Sequence, residues 1–241
     1  MLVVLVILLS ACAQQLMQER DESMVKISLK TDDGVAIIGN YWPGSGQGVV
    51  LLHMMPAAKE SWDEFASVLH KEGWSVLAID LRGHGESVKQ GGKMLDFMQF
   101  SDAEHRDSVR DVETAVAFLK QKGVTSVFIG GASIGANLAL QYQAEHPEVK
   151  KTFLLSAGAD YKGIVTEPLA EQLREDQQSF LVGGKKDVRS SGDNCGDIAQ
   201  RLAHLMKGRR DAKVYDAKAH GTDLFKEDPE LMHEIVAWLK V

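Results

Sequence analysis

The sequence predicts an α/β fold, in which a mostly parallel sheet carries helices on both faces. Three observations predict it. Aliphatic runs at 49–52, 75–79, 125–129, 151–155, 179–182 and 212–215 have the length of buried strands. Longer segments with helical apolar spacing lie between them, and that alternation builds parallel strand–helix–strand units. At 241 residues, with 44% apolar and 25% charged residues, the chain suits one soluble domain.

The elements follow in order. Val25-Lys26-Ile27-Ser28-Leu29 alternates apolar and polar, as a half-buried strand does. Asp32-Asp33-Gly34 is a hairpin turn signal, and 35–42 is the returning strand of an antiparallel edge. Segment 60–71 reads as a helix with Trp62, Phe65, Ala66 and Leu69 on one face. Segment 102–122 reads as the longest helix, with Val109, Val112, Val116 and Leu119 on one stripe. Helices are expected at 133–145 and 229–240. Only residues 157–178 separate two successive strands, room for a minimal cap over the sheet edge.

The N-terminus differs from the rest. Residues 1–18 carry no charge, and the aliphatic run ends in Leu9-Ser10-Ala11-Cys12. That run is too short to span a bilayer and fits the apolar part of a secretory signal, although no Lys or Arg precedes it. The four residues resemble a bacterial lipobox. The resemblance implies a lipid-anchored cysteine at Cys12, a signal and polar tether over 1–23, a folded domain over 24–241, and a place in the cell envelope facing the periplasm or exterior. Cys12 and Cys195 are the two cysteines, so acylation of Cys12 leaves Cys195 a lone thiol. No C-x-x-C spacing exists, and neither a metal nor a cofactor is expected. The net charge of −7 without a basic stripe argues against a nucleic-acid partner and reads as solubility.

Ligands of open α/β sheets sit at the carboxyl ends of the strands, so the residues following each strand carry the chemistry. After 125–129 comes Gly131-Ala132-Ser133-Ile134-Gly135, a G-x-S-x-G turn from strand into helix. The glycines spare the sharp turn a collision, and Ser133 is lifted to a helix N-terminus, where negative charge is favoured. After 179–182 comes Asp187, the expected partner of a histidine, with Asp160 past the preceding strand as the competitor. After 212–215 comes His220, which completes the chain order Ser, Asp, His. His70, His105, His146, His204 and His233 read as surface residues in helical contexts. The loop His53-Met54-Met55-Pro56 offers one main-chain donor to an oxyanion hole, at Met55 in preference to Met54, and Ile134 offers the other. Asp80-Leu81-Arg82-Gly83-His84-Gly85 reads as a structural loop held by Arg82 through salt bridges.

Over 24–241 these motifs resemble the α/β-hydrolase superfamily, and the chain is similar to small bacterial esterases and to dienelactone-hydrolase-like proteins. The dienelactone hydrolases use cysteine where this chain has Ser133. The resemblance implies a serine hydrolase for a small-molecule carboxylic ester, with Ser133 as nucleophile, His220 as general base and Asp187 orienting it. The minimal cap predicts short to medium acyl chains, with Met54 and Met55, joined by Tyr161 and Leu224, lining the acyl pocket. A thioesterase or lactonase with the same triad, and a non-catalytic binding lipoprotein, are the rival expectations.

Overall fold

The computed structural model describes residues 23–241. The apolar N-terminal run and Cys12 lie outside the described residues. Among the described residues, no helix is long and apolar enough to cross a membrane.

The strands are β1 (Val25–Lys30), β2 (Val35–Trp42), β3 (Gln47–Leu52), β4 (Ser75–Ile79), β5 (Lys89–Gln90), β6 (Lys93–Met94), β7 (Ser126–Ala132), β8 (Lys151–Leu155), β9 (Asp160–Tyr161), β10 (Ile164–Val165), β11 (Gln178–Gly184) and β12 (Arg210–Tyr215). The helices are α1 (Asp63–Lys71), α2 (Asp102–Arg106), α3 (Val109–Gln121), α4 (Ile134–Glu145), α5 (Thr166–Gln172), α6 (Cys195–Leu205), α7 (Leu224–Glu227) and α8 (Glu230–Lys240). The main sheet runs β12-β11-β8-β7-β3-β4-β2-β5-β6, with β1 pairing outside β2. Strands β4, β3, β7, β8, β11 and β12 pair in parallel; β2 joins β4 and β1 antiparallel. The loops after β3, β7, β8, β11 and β12 therefore share one edge of the sheet.

Side-chain alternation divides the core into two layers. Val50 and Leu52 of β3 join the layer under α3, α4, α5 and α6. Val49 and Leu51 of the same strand join the layer under α1, α7 and α8. Both faces are covered, which is why the central strands read as unbroken aliphatic runs rather than alternating ones.

Segment 102–122 is two helices rather than the expected one. Hydrogen bonding tightens at the joint: Ser108 N–H donates to His105 O, Arg110 N–H to Asp107 O and Asp111 N–H to Ser108 O, all i to i−3. No glycine or proline marks the joint; it follows from what its residues touch. His105, expected at the surface, is buried with its ring edge-on to Phe100. Asp111 is fully buried and clamps Arg82, accepting from its main-chain N–H (2.8 Å), Nε (2.9 Å) and Nη2 (2.8 Å). The far side of the guanidinium holds Asp33 in the β1–β2 turn, at 2.8 and 3.2 Å. Burial pushes the Asp111 carboxyl up to about 6, against the pull of Arg82.

His53 ties the loop after β3 to the loop after β4. It is fully buried, with Nδ1 donating to Met54 O (2.9 Å) and Nε2 accepting from Leu81 N–H (3.0 Å). That pattern needs the neutral ring. Burial, helped by neighbouring His84, holds its pKa down at about 4, against an ordinary 6.5. Between those values the unfolded chain carries a proton at His53 that the folded chain refuses. Its contribution to stability is therefore complete above about pH 6.5 and is lost as pH falls toward 4, at about 1.4 kcal/mol per pH unit. Urea unfolding across this range should show that loss, and His53→Gln should flatten the slope by about one proton. An identical slope in the variant would assign the acid sensitivity elsewhere.

Candidate active site

The loop between β7 and α4 is built by sterics. Ser133 sits at φ 55°, ψ −117°, a conformation that residues with a side chain rarely adopt. The glycines on either side make room for it. A Cβ on Gly131 would lie 2.1 Å from the carbonyl oxygen of Gly135, and a Cβ on Gly135 would lie 2.3 Å from that of Leu52 in β3. Ser133 N–H donates to Leu155 O of β8 (2.9 Å), and Ser133 O accepts the Ala136 and Asn137 N–H groups of α4. The serine is thus fixed between two strands and the first turn of a helix.

Asp187 follows β11 and His220 follows β12. The Asp187 carboxylate accepts from His220 Nδ1 at 2.6 Å. An ionised carboxylate only accepts, so Nδ1 carries a proton, and in the neutral ring Nε2 then presents a lone pair. Nε2 of His220 and Oγ of Ser133 are both buried, and neither has a hydrogen-bond partner. The two loops are neighbours: a Cβ on Gly221 would stand 3.2 Å from the Cβ of Ala132 and 2.6 Å from Met54 Sδ. Asp187 is buried, which by itself would raise its pKa. Hydrogen bonds with His220, Cys195 and Ser156 outweigh burial and hold the carboxyl below its ordinary value.

Several of these partners carry no mark in the sequence. Ser156, at φ 53° beyond β8, accepts Gly221 N–H at 2.9 Å and so fixes the loop that carries His220. Cys195 opens α6 against Asp187; burial pushes its thiol pKa up, so it stays protonated. Arg189 Nη1 donates to Asp187 Oδ1 at 3.2 Å and lies 3.1 Å from His220 Nδ1. Since Nδ1 already donates to Asp187, that last contact brings a cation beside the ring and is no second hydrogen bond. Asp187, Cys195 and His220 offer ligand atoms within 4.8 Å of one another. A metal there would have to break the Asp187–His220 hydrogen bond and deprotonate a thiol that its surroundings keep neutral.

The other expected site residues fall as follows. The carboxylate on His220 is that of Asp187; Asp160 is exposed and accepts Gly163 N–H of its own hairpin at 2.9 Å. Ile134 starts α4, where its N–H has no partner within the helix. Met54 and Met55 are half-buried but pack on opposite layers, Met54 with the α1 and α8 side and Met55 with the α3 and α4 side. Leu224 is fully buried in the core, so it cannot line an open pocket. Its place in the layer with Phe225 and Trp62 follows from the apolar face of α7 and α8. Tyr161 is half-buried and lies beside Arg189.

A family model described as the alpha/beta hydrolase fold matches residues 48–187. The chain belongs to the α/β-hydrolase family. The match includes Ser133 and Asp187, and His220 lies beyond it. Among curated relatives, a non-heme haloperoxidase of Rhodococcus erythropolis is 32% identical over 127 residues, 52% of this chain and 42% of that protein. A bifunctional esterase/perhydrolase of Acinetobacter calcoaceticus is 32% identical over 130 residues, 53% and 43% of the two chains. The chain thus spans about two-fifths of the length of these curated relatives. An esterase of Pyrococcus furiosus superposes with a TM-score of 0.71 over 90% of each chain, at 20% identity, a likeness of fold. The parallel pairing of β3, β7, β8, β11 and β12 brings the loops that carry Ser133, Asp187 and His220 to one edge of the sheet.

The glycine argument can be measured. Gly135→Ala should destabilise this α/β-hydrolase by at least about 1–3 kcal/mol, because the clash is with main chain that cannot move aside. Gly92→Ala, with nothing within 4 Å, should stay within about 0.5 kcal/mol of the parent. Equal urea midpoints for the two variants would refute the packing argument.

Proposed function

We propose that the chain is a serine hydrolase that cleaves carboxylic esters through an acyl-enzyme on Ser133. The observation that carries this reading is the pair of buried, unpartnered atoms at Ser133 Oγ and His220 Nε2. Leaving a buried polar atom unsatisfied costs about 1–3 kcal/mol. Here one atom is a donor and the other an acceptor, on adjacent loops, and the acceptor is fixed in its tautomer by Asp187. Such a pair is suited to passing a proton.

In the proposed reaction His220 Nε2 takes the Ser133 proton as Oγ attacks the ester carbonyl. Asp187 stabilises the imidazolium, and its lowered pKa keeps it ionised through the neutral range. The oxyanion is received by the main-chain N–H groups of Ile134 and Met55, the first of them at the positive end of α4. His220 then returns its proton to the leaving alcohol. Water, deprotonated by the same ring, releases the acid. The insertion after β8 is only the β9–β10 hairpin and the short α5, which supports substrates of short to medium acyl length over long lipid chains.

Hydrolysis of p-nitrophenyl esters of graded chain length tests the reading. Ser133→Ala should lower kcat by at least about 10³-fold, and Asp187→Asn by about 10⁴-fold. Asp160→Asn should cost far less. Turnover that survives Ser133→Ala would remove the nucleophile, and equal losses at the two aspartates would remove the assignment of the acid.

Attachment to a membrane through Cys12 is the second part of the proposal and rests on Leu9-Ser10-Ala11-Cys12. In a bacterial host, metabolic labelling with palmitate should mark the wild type and leave Cys12→Ala unmarked. Equal labelling would discard the anchor.

A further inference from the structure

A cavity of about 320 Å³ opens beside the acid end of the site, between the β9–β10 hairpin and the loop after Asp187. Its walls carry Asp160, Tyr161, Lys162, Arg189, Ser190 and Ser191. Arg189 connects it to the reactive groups, since the same guanidinium touches Asp187 and approaches His220 Nδ1. Through Arg189 the cavity adjoins the Asp187–His220 pair.

The guanidinium is held rather than free to swing. Nη1 is anchored on Asp187, Nη2 reaches Tyr161 OH at 3.5 Å, and the guanidinium carbon lies 5.8 Å from the Tyr161 ring centre. An arginine has five N–H donors, and these contacts leave several of them for a ligand. At 27% exposure the side chain is mostly covered, so a charge placed against it is screened less than one on an open surface. Lys162 occupies the hairpin corner at φ 54°, is exposed, and forms no ion pair among the described residues. The cavity wall carries two cations, Arg189 and Lys162; of the nearby carboxylates, Asp160 is turned into its own hairpin, on Gly163 N–H, and Asp187 is shared with His220. The planar fork of Arg189, with the Ser190 hydroxyl nearby, suits a carboxylate.

We propose that this cavity is a subsite for a substrate carboxylate, so that the ester cleaved at Ser133 carries a second, ionised acid group a short carbon spacer away. The inference rests on the hydrolase reading above and adds the substrate class.

Two matched pairs of esters test it, one for each side of the scissile bond. Mono-p-nitrophenyl glutarate is compared with p-nitrophenyl valerate, and 4-(carboxymethyl)phenyl butyrate with 4-ethylphenyl butyrate. In the full chain, the anionic member of at least one pair should be preferred in kcat/KM by about tenfold. Lys162→Gln should reduce that ratio severalfold, Lys162→Glu should reduce it further, and 0.5 M salt should compress it. Calorimetric titration with glutarate alone supplies a readout without turnover, with binding expected in the wild type and weakened in Lys162→Gln. Ester cleavage through Ser133 with no anionic preference in either pair and no glutarate binding would overturn the subsite and leave the hydrolase standing. A preference unchanged by both Lys162 variants would also overturn it. Glutarate binding that responds to Lys162, in a chain that cleaves none of the four esters, would uphold the subsite and sink the hydrolase reading.

Discussion

The first turn of α4 passes against the carbonyl end of β3 at a separation that admits no side chain, and the rest of the site depends on that approach. Gly135 lies where even one carbon would meet the Leu52 carbonyl oxygen. Because the helix can come so close, β7 reverses into it within a single residue, and that residue takes the strained conformation. Strain at Ser133 is sustained by its surroundings: the hydrogen bond from its N–H to β8, and the α4 N–H groups bonded to its carbonyl. The hydroxyl therefore stands at a fixed height above the sheet edge, and every other group in the site is placed relative to it.

The second constraint is electrostatic. Asp187 lies under the histidine as a buried carboxylate, and burial alone would favour its neutral form. A neutral acid could not fix the tautomer of His220. The carboxylate is kept charged by a ring of partners drawn from four segments: His220 after β12, Ser156 after β8, Cys195 at the start of α6, and Arg189 in its own loop. The fold resolves a comparable conflict elsewhere. Arg82 holds buried Asp111 and half-buried Asp33, and so ties the β1–β2 turn, α3 and the loop after β4. Both clusters use charge to position loops that apolar packing cannot reach, at the edge where the sheet gives way to irregular chain.

How much of this the sequence reveals depends on whether a feature is local. Strands 75–79 and 151–155 have the observed bounds, because a strand buried on both faces is one unbroken aliphatic run. Ser133, Asp187 and His220 can be picked out because each closely follows such a run. The joint at 107–108 has no local cause; it follows from the burial of His105 and the clamp of Asp111 on Arg82, both long-range contacts. Helix α6 is hidden for a different reason, since it begins after a polar stretch and only the Asn194 cap on Asp197 N–H announces it. Met54 and Met55 look like one apolar patch in sequence, but in the bend after β3 the core takes one into each layer. Arg189, two residues past Asp187, reads as an ordinary loop charge until Tyr161 is brought beside it from another strand.

An arginine beside the acid has an electrostatic consequence that geometry alone does not show. In the proposed reaction, an imidazolium at His220 would be stabilised by Asp187 and opposed by Arg189, which shares that carboxylate and lies 3.1 Å from Nδ1. A cation at this distance works against the proton transfer unless something offsets its charge. Asp187 offsets part of it through one oxygen. An anion held on the cavity side of the guanidinium would offset more, and would do so only while substrate is bound. The same side chain that penalises the charged ring in the empty site would then penalise it less in the complex. Binding energy from a remote group would thereby be expressed at the reacting centre, as differential stabilisation of the transition state requires. In the proposed reaction Arg189 would thus couple recognition to reactivity, because it touches both Asp187 and the cavity wall.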